Sequence, residues 1–246
     1  MGSSPETLDG RRENRRFVAI IGDIVSSRKL PGPQRKRTQS ALIEYLAGLN
    51  RTFQEDIASD FTIIRGDEFE ALVRPGGASR LIPEMVWSAV ERFPGILFRF
   101  GIGLGTIETE IDRDPRIVDG SAFHRARRAI ERAENENLLG GVFAGFGDDH
   151  DAVLNGIARL LHYHRQRWTR QQGRLAELLR NDPRQINAAA RLGISRQAVS
   201  AYARKGGWEA YVEGEIAWRK AIDAALALLP GEIAGRAARD PNDRDV

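Results

Sequence analysis

The run FVAIIGDIV at 17–25 constrains the fold more than any other stretch of the chain. Its length is that of one strand. With almost no polar alternation, that strand suits the centre of a sheet covered on both faces. The following segments supply covering helices. After the SSRKLPGP loop, where Pro33 suits a helix start, Leu42, Leu46, Leu49 and Phe53 recur at helical spacing between 34 and 53. FTII (61–64) and EFEALV (68–73) read as a hairpin with Gly66-Asp67 near its tip. PGGAS leads into a second helix, with Ile82, Val86 and Val90 on one stripe and Leu81, Met85, Ala89 and Phe93 beside it. LFRFGIGLGTIET (97–109) alternates as a strand whose Gly101, Gly103 and Gly105 leave one face open to a helix or a ligand. Asp119-Gly120 opens a third helix with Phe123, Ala126, Ile130 and Ala133 inward, and GGVFAGF (140–146) is a last short strand.

This order, β-α-β-β-α-β-α-β, predicts an α+β fold of ferredoxin-like or palm type, a mixed sheet with helices on one face. Beyond about Asp149 every pattern is helical. The expected organisation is a flexible arm (1–16), a palm domain (17–148), an all-α helix-turn-helix domain (149–233) and a solvated tail (234–246).

Composition narrows the function classes. At 41% hydrophobic and 29% charged residues the chain has the balance of a globular protein. No apolar run reaches the roughly 18 residues of a spanning helix, so no membrane partner is expected. MGSSPETLDGRRENRR lacks the apolar centre of a secretory signal, and cytoplasm is the expected location. The absence of cysteine excludes disulfides, thiolate zinc sites and a cysteine nucleophile. Charge is unevenly spread. Eleven Arg and Lys side chains from Arg159 to Lys205 face only Glu177 and Asp182, although the whole chain is only +3. Such a block reads as a nucleic-acid-facing module or as a solvated helical face.

Asp23 near the end of the first strand and Asp67 at the hairpin tip lie side by side in a palm fold. Paired carboxylates there suit Mg²⁺, whose remaining ligands are water and phosphate oxygens. A turn aspartate plus a helix cap is the alternative. His162 and His164, two apart on a helix, point different ways and do not make a joint metal site.

IIGDIVSSR resembles the first-strand metal motif of class III nucleotide cyclases. IIRGDEFEALV resembles their Gly-Asp hairpin and the GGDEF signature of diguanylate cyclases, with Arg65 in place of the first glycine. RFGIGLGTI and DGSAFHRARRAIERA are similar to the glycine-spaced strand and the helix that follows it in cyclases. With its helical tail, nearly the whole chain resembles the SatD family of bacterial proteins. The resemblance implies metal binding by Asp23 and Asp67 and nucleotide contacts from Ile24, His124 and Arg128. The last two stand where cyclases carry an asparagine and an arginine that reach the ribose and triphosphate, and they are also the candidates for a catalytic role. A solvated histidine is the alternative for His124. Where cyclases read adenine with a lysine and an aspartate, this chain has Ile63 and Ile117, neither of which can hydrogen-bond a purine edge, so adenine recognition of that kind is not expected.

Leu175, Leu178 and Leu179 mark a supporting helix before RQINAAARLGISRQAVSAYARKGGW. Here Ala189 suits a helix crossing, Gly193 a turn and Ser195 an N-cap, with Leu192, Ile194, Val199 and Tyr202 as a small core. That is the spacing of a helix-turn-helix; a helical pair that merely packs is the alternative. Arg196, Gln197, Ser200 and Arg204 would then project toward DNA, Arg196 and Gln197 suited to base edges, with Ser195 and Lys205 as further DNA contacts and the arginines of 159–191, Arg184 among them, on phosphates. A final helix carrying Tyr211, Ile216, Ala217, Trp218, Ile222, Leu226 and Leu229 would close this unit or pair with a second subunit. The expected function is a transcription regulator, a homodimer on double-stranded DNA, whose cyclase-like domain senses a metal or nucleotide or mediates dimerisation. The alternative is a Mg²⁺-dependent nucleotidyl cyclase or nucleotidyltransferase with an attached helix-turn-helix.

Overall fold

The computed structural model describes residues 16–227; nearly all of the expected arm, the expected tail and Leu229 lie outside them. Among the described residues there are five strands: β1 (Arg16–Ile24), β2 (Ile57–Arg65), β3 (Glu68–Val73), β4 (Phe98–Thr106) and β5 (Val142–Ala144). Eight α-helices accompany them: α1 (Gly32–Thr52), α2 (Pro75–Arg92), α3 (Ser121–Asn135), α4 (Asp148–Gln166), α5 (Arg170–Asn181), α6 (Gln185–Leu192), α7 (Arg196–Lys205) and α8 (Trp208–Ala227). The chain is thus α+β. The strands form one mixed sheet in the order β2-β3-β1-β4-β5, with β4–β5 parallel and the other pairs antiparallel.

β1 is the central strand, and its side chains alternate between two buried layers. Val18, Ile20 and Ile24, with Phe69, Ala71, Phe100 and Ile102 of its neighbours, share a core with Leu42, Leu46 and Leu49 of α1 and Leu81, Ile82 and Met85 of α2. Phe17, Ala19 and Ile21 face the other way, onto Ala122, Phe123, Ala126 and Ile130 of α3. Each fully buried aliphatic or aromatic side chain contributes about 1.5–3 kcal/mol, so both layers hold the sheet. Helices therefore cover both faces, which corrects the expectation of helices on one face.

The β4 glycines explain the placement of α3. A Cβ on Gly101 would sit 2.2 Å from the Ala126 carbonyl oxygen, and one on Gly103 would sit 2.3 Å from the Ala122 oxygen and the Ala126 nitrogen. Only a strand face without side chains lets the α3 backbone come so close. The open face noted in the sequence is filled by a helix.

The helices after β5 are not confined to a core of their own. Leu154, Ala158 and Leu161 of α4 and Tyr211, Trp218, Ile222 and Leu226 of α8 join the layer built by α1 and α2. The Trp87 ring of α2 lies 6.1 Å from Trp168, 6.1 Å from Trp208 and 5.5 Å from Tyr211. The apolar stripe of α8 thus faces α2 and α4, except that its Ile216 and Ala217 are exposed. α5, α6 and α7 add a smaller cluster of Leu175, Leu179, Ala188, Ala189, Val199 and Ala203. Among the described residues no helix is long and apolar enough to cross a membrane.

Candidate functional site

One cavity of about 800 Å³ opens where β1 ends, and its walls come from five places in the sequence. The β1–α1 connection contributes Ile24 through Leu30, the β2–β3 turn contributes Arg65 to Glu68, α1 contributes Arg35, Thr38 and Gln39, and β4 with the end of α3 contributes Arg99, Glu134 and Asn137. Asp23 and Asp67 both line it.

The two carboxylates are held differently. Asp67 sits in the tight turn after Gly66, whose φ of 66° favours glycine. Its Oδ2 accepts the Ile24 backbone N–H at 2.9 Å and its Oδ1 accepts the Ser27 hydroxyl at 2.8 Å. These bonds tie the hairpin tip to the end of β1. Asp23 lies directly across from Arg99 in the β1–β4 register, and its Oδ1 accepts from Arg99 Nε at 3.1 Å. The other arm of Arg99 reaches Glu134 Oε1 at 3.4 Å. Burial pushes the Asp23 carboxyl above its ordinary range; Arg99 pulls it back, while the charges of Asp67 and Glu134 push it up again.

Cations rim the opening. Among the described residues, Arg28, Lys29 and Arg65 have no carboxylate partner. Arg35 donates to the Arg28 and Leu30 carbonyls and so pins the loop. Ser26, at φ 56°, takes the left-handed conformation within this loop and lines the cavity.

No group of three or more His, Asp and Glu side chains is arranged for a metal among the described residues. A Mg²⁺ ion here would take two carboxylates and leave its other positions to water and phosphate. Two hard carboxylates under a cationic rim fit that donor set. His162 and His164 are not part of any such group. His162 is half-buried with its Nε2 unpartnered, and His164 Nε2 lies 2.7 Å from the Gly206 carbonyl oxygen.

The remaining nucleotide candidates lie elsewhere. His124 and Arg128 are exposed on the outer side of α3 and do not line this cavity. His124 Nε2 is 3.6 Å from Asp119 Oδ1, both side chains in solvent. Ile63 packs against the core and Ile117 is 64% exposed on a 3₁₀ turn; neither reaches the cavity. Sequence reasoning missed Arg99, Glu134 and the Arg28–Lys29–Arg65 rim. An arginine inside the LFRF strand, on the same side as the glycines, was the available signal for the first.

In α5–α7, Gly193 takes φ 67° between α6 and α7, and Ser195 Oγ accepts the Ala198 N–H at 3.1 Å. Ala189 and Val199 are buried. Ser195, Arg196, Gln197, Arg204 and Lys205 are exposed, and Ser200 is half-buried. Arg184 is exposed but paired twice with Asp182, at 2.8 Å through each of Nε and a terminal nitrogen. Two arginines of the basic block are not available for phosphate. Arg165 stacks 3.7 Å from the Trp87 ring and donates to the Trp87 carbonyl. Arg180 stacks at 4.4 Å and binds Glu84 and Glu215. Both fasten helices, because a stem long enough to reach solvent also spans a helix–helix seam.

Two solved structures titled as a bacterial light-regulated adenylyl cyclase are similar to part of the chain. One shares 14% identity at a TM-score of 0.34 over 53% of this chain, the other 15% at 0.34 over 52%. The chain spans 43% of the length of the first and 75% of the second. No curated protein matches it. Residues 17–202, well over half of its length, match the SatD family. The chain belongs to the SatD family.

Proposed function

We propose that the cavity beside Asp23 and Asp67 binds a nucleoside polyphosphate together with Mg²⁺. The observation that carries this reading is the pairing of two carboxylates with a rim of Arg28, Lys29 and Arg65 around one cavity. The carboxylates match a hard divalent ion, the ion matches phosphate oxygens, and the rim neutralises phosphate charge that the ion leaves over. Mg²⁺, when bound, would supply Lewis-acid polarisation of a phosphoryl group. Asp67 would hold its oxygens in place through Ile24 N–H and Ser27, and the Ser26–Leu30 loop would orient the phosphate chain. The sheet order, with β3 between β1 and β2, supports a ferredoxin-like palm as the scaffold.

Cyclase or nucleotidyltransferase chemistry needs a further cation on the reacting phosphate. His124 and Arg128 lie outside this cavity and would supply it only from a second copy of the chain, a homodimer in which each α3 serves the other's cavity. The test is calorimetric titration of Mg²⁺ with a triphosphate panel into wild type, Asp23→Asn and Asp67→Asn. Binding by wild type that each variant weakens at least tenfold supports the reading; equal binding by all three refutes it.

A second reading concerns α7. The αL glycine, the Ser195 cap and the buried Ala189 and Val199 favour a helix-turn-helix in residues 170–205, with Arg196, Gln197, Ser200 and Arg204 toward base edges of duplex DNA. Under this reading the protein is a transcription regulator and the polyphosphate is its signal. Duplex binding that falls steeply with salt supports it, and salt-insensitive binding equal on all sequences counts against it.

A further inference from the structure

Among the described residues, Arg99 is the cavity-wall cation that is held between two carboxylates. Its residue is 9% exposed, in register opposite Asp23, with one arm on Asp23 and the other on Glu134. A guanidinium there already occupies the electrostatic place of a cation beside Asp23. Of the other carboxylates lining the cavity, Glu68 is paired with Arg127, Glu134 with Arg99 itself, and Asp67 spends both oxygens on Ile24 N–H and Ser27. A bare divalent ion arriving at this wall meets an incomplete donor set and a buried positive charge within a few ångströms. A divalent ion arriving with a polyphosphate brings its own oxygens and negative charge.

We propose that Arg99 makes metal binding conditional on phosphate: it competes with a free divalent ion for Asp23 and yields to a metal–polyphosphate by shifting its weight to Glu134. This rests on the reading of the cavity as a metal and polyphosphate site. Arg99 acts as a positioning residue, since it needs no contact with the ligand. Its geometry suits the exchange, because the guanidinium already spans both carboxylates and Glu134 is largely in solvent, free to follow it.

The experiment is a melting series with Mn²⁺ alone, a non-hydrolysable triphosphate alone, and both, on wild type, Arg99→Met and Glu134→Gln. Wild type should respond weakly to Mn²⁺ alone and strongly to the pair. Arg99→Met should bind Mn²⁺ alone about tenfold more tightly, since a like charge at short range through a partly wet wall is removed. Glu134→Gln leaves Arg99 with Asp23 alone, so it should need about threefold more Mn²⁺ with triphosphate to reach the same melting shift. A merely structural arginine would weaken every response on removal, so tightening is the diagnostic sign. If Arg99→Met binds Mn²⁺ no more tightly while wild type responds to the pair, the inference is wrong and the site reading stands. If wild type does not respond to the pair, both are wrong. Should Arg99→Met fail to fold, Glu134→Gln decides: an unchanged Mn²⁺ requirement overturns the inference.

Discussion

Replacing Arg180 with methionine tests how the helical layer is fastened to the sheet layer. The guanidinium binds Glu215 on α8 at 2.5 and 3.0 Å, binds Glu84 on α2 at 2.7 Å, and stacks on Trp87. Glu84 is 38% exposed and would rehydrate at small cost, whereas Glu215 is 10% exposed and would keep only Arg219. Leaving a buried carboxylate half-satisfied costs about 2 kcal/mol. The lost cation–π contact adds about 1 kcal/mol, while methionine preserves most of the stem packing. The sum is about 3 kcal/mol, or about 6–12 °C in melting temperature for a chain of this size. Burial alone would raise the Glu215 carboxyl, but Arg180 and Arg219 hold it below its ordinary 4.5. Its contribution is therefore present above pH 4.5 and lost as pH falls through the lowered folded value. The gap between wild type and variant should accordingly narrow as pH falls below 4.5. Denaturant melts read by Trp fluorescence and by far-UV circular dichroism measure both quantities. A variant within about 0.5 kcal/mol of wild type at pH 7, well short of the usual cost of breaking a buried network, would refute the reasoning.

Gly103→Ala should destabilise the chain by about 3 kcal/mol, because its Cβ meets α3 backbone rather than a movable side chain; chemical denaturation reads this. His162 is half-buried beside Arg165 and pushed down to about 4, so the folded state excludes a proton that the unfolded state takes up. Stability should be full above pH 6.5 and fall between 6.5 and about 4, and His162→Leu should flatten that part of the pH profile of melting temperature. Arg196→Ala or Gln197→Ala should relax sequence preference on duplex DNA at a cost of about 1–3 kcal/mol, measured by competition binding.

Much of the sheet was legible because its signals are local. The apolar β1 run, the Gly66-Asp67 turn and the helical spacing of Leu42, Leu46 and Leu49 each need only neighbours in sequence. β2 starts at Ile57, earlier than FTII implied, because its register shifts against β3 at three places and bulges blur the alternation. The side on which α3 packs was not legible: Gly101, Gly103 and Gly105 mark an open face without saying what fills it. The roles of Arg165 and Arg180 were hidden for a related reason. A count of charge along 159–205 treats every arginine as solvent-facing, and only the approach of α2 and α8 shows that these two bridge a seam. In the site, Asp23 and Asp67 were visible as carboxylates at strand and turn ends. Arg99 was not, since its partner lies 76 positions away and the β1–β4 register sets the pair.

Crystals grown with Mn²⁺ and a non-hydrolysable nucleoside triphosphate test the central claim most directly. The account predicts one anomalous peak within coordinating distance of Asp23 and Asp67, with phosphate oxygens on its far side and Arg28, Lys29 or Arg65 on the phosphates. It also predicts no such peak in crystals of Asp23→Asn grown the same way. A metal–triphosphate bound elsewhere, or density at this wall that survives loss of the Asp23 carboxylate, would contradict it.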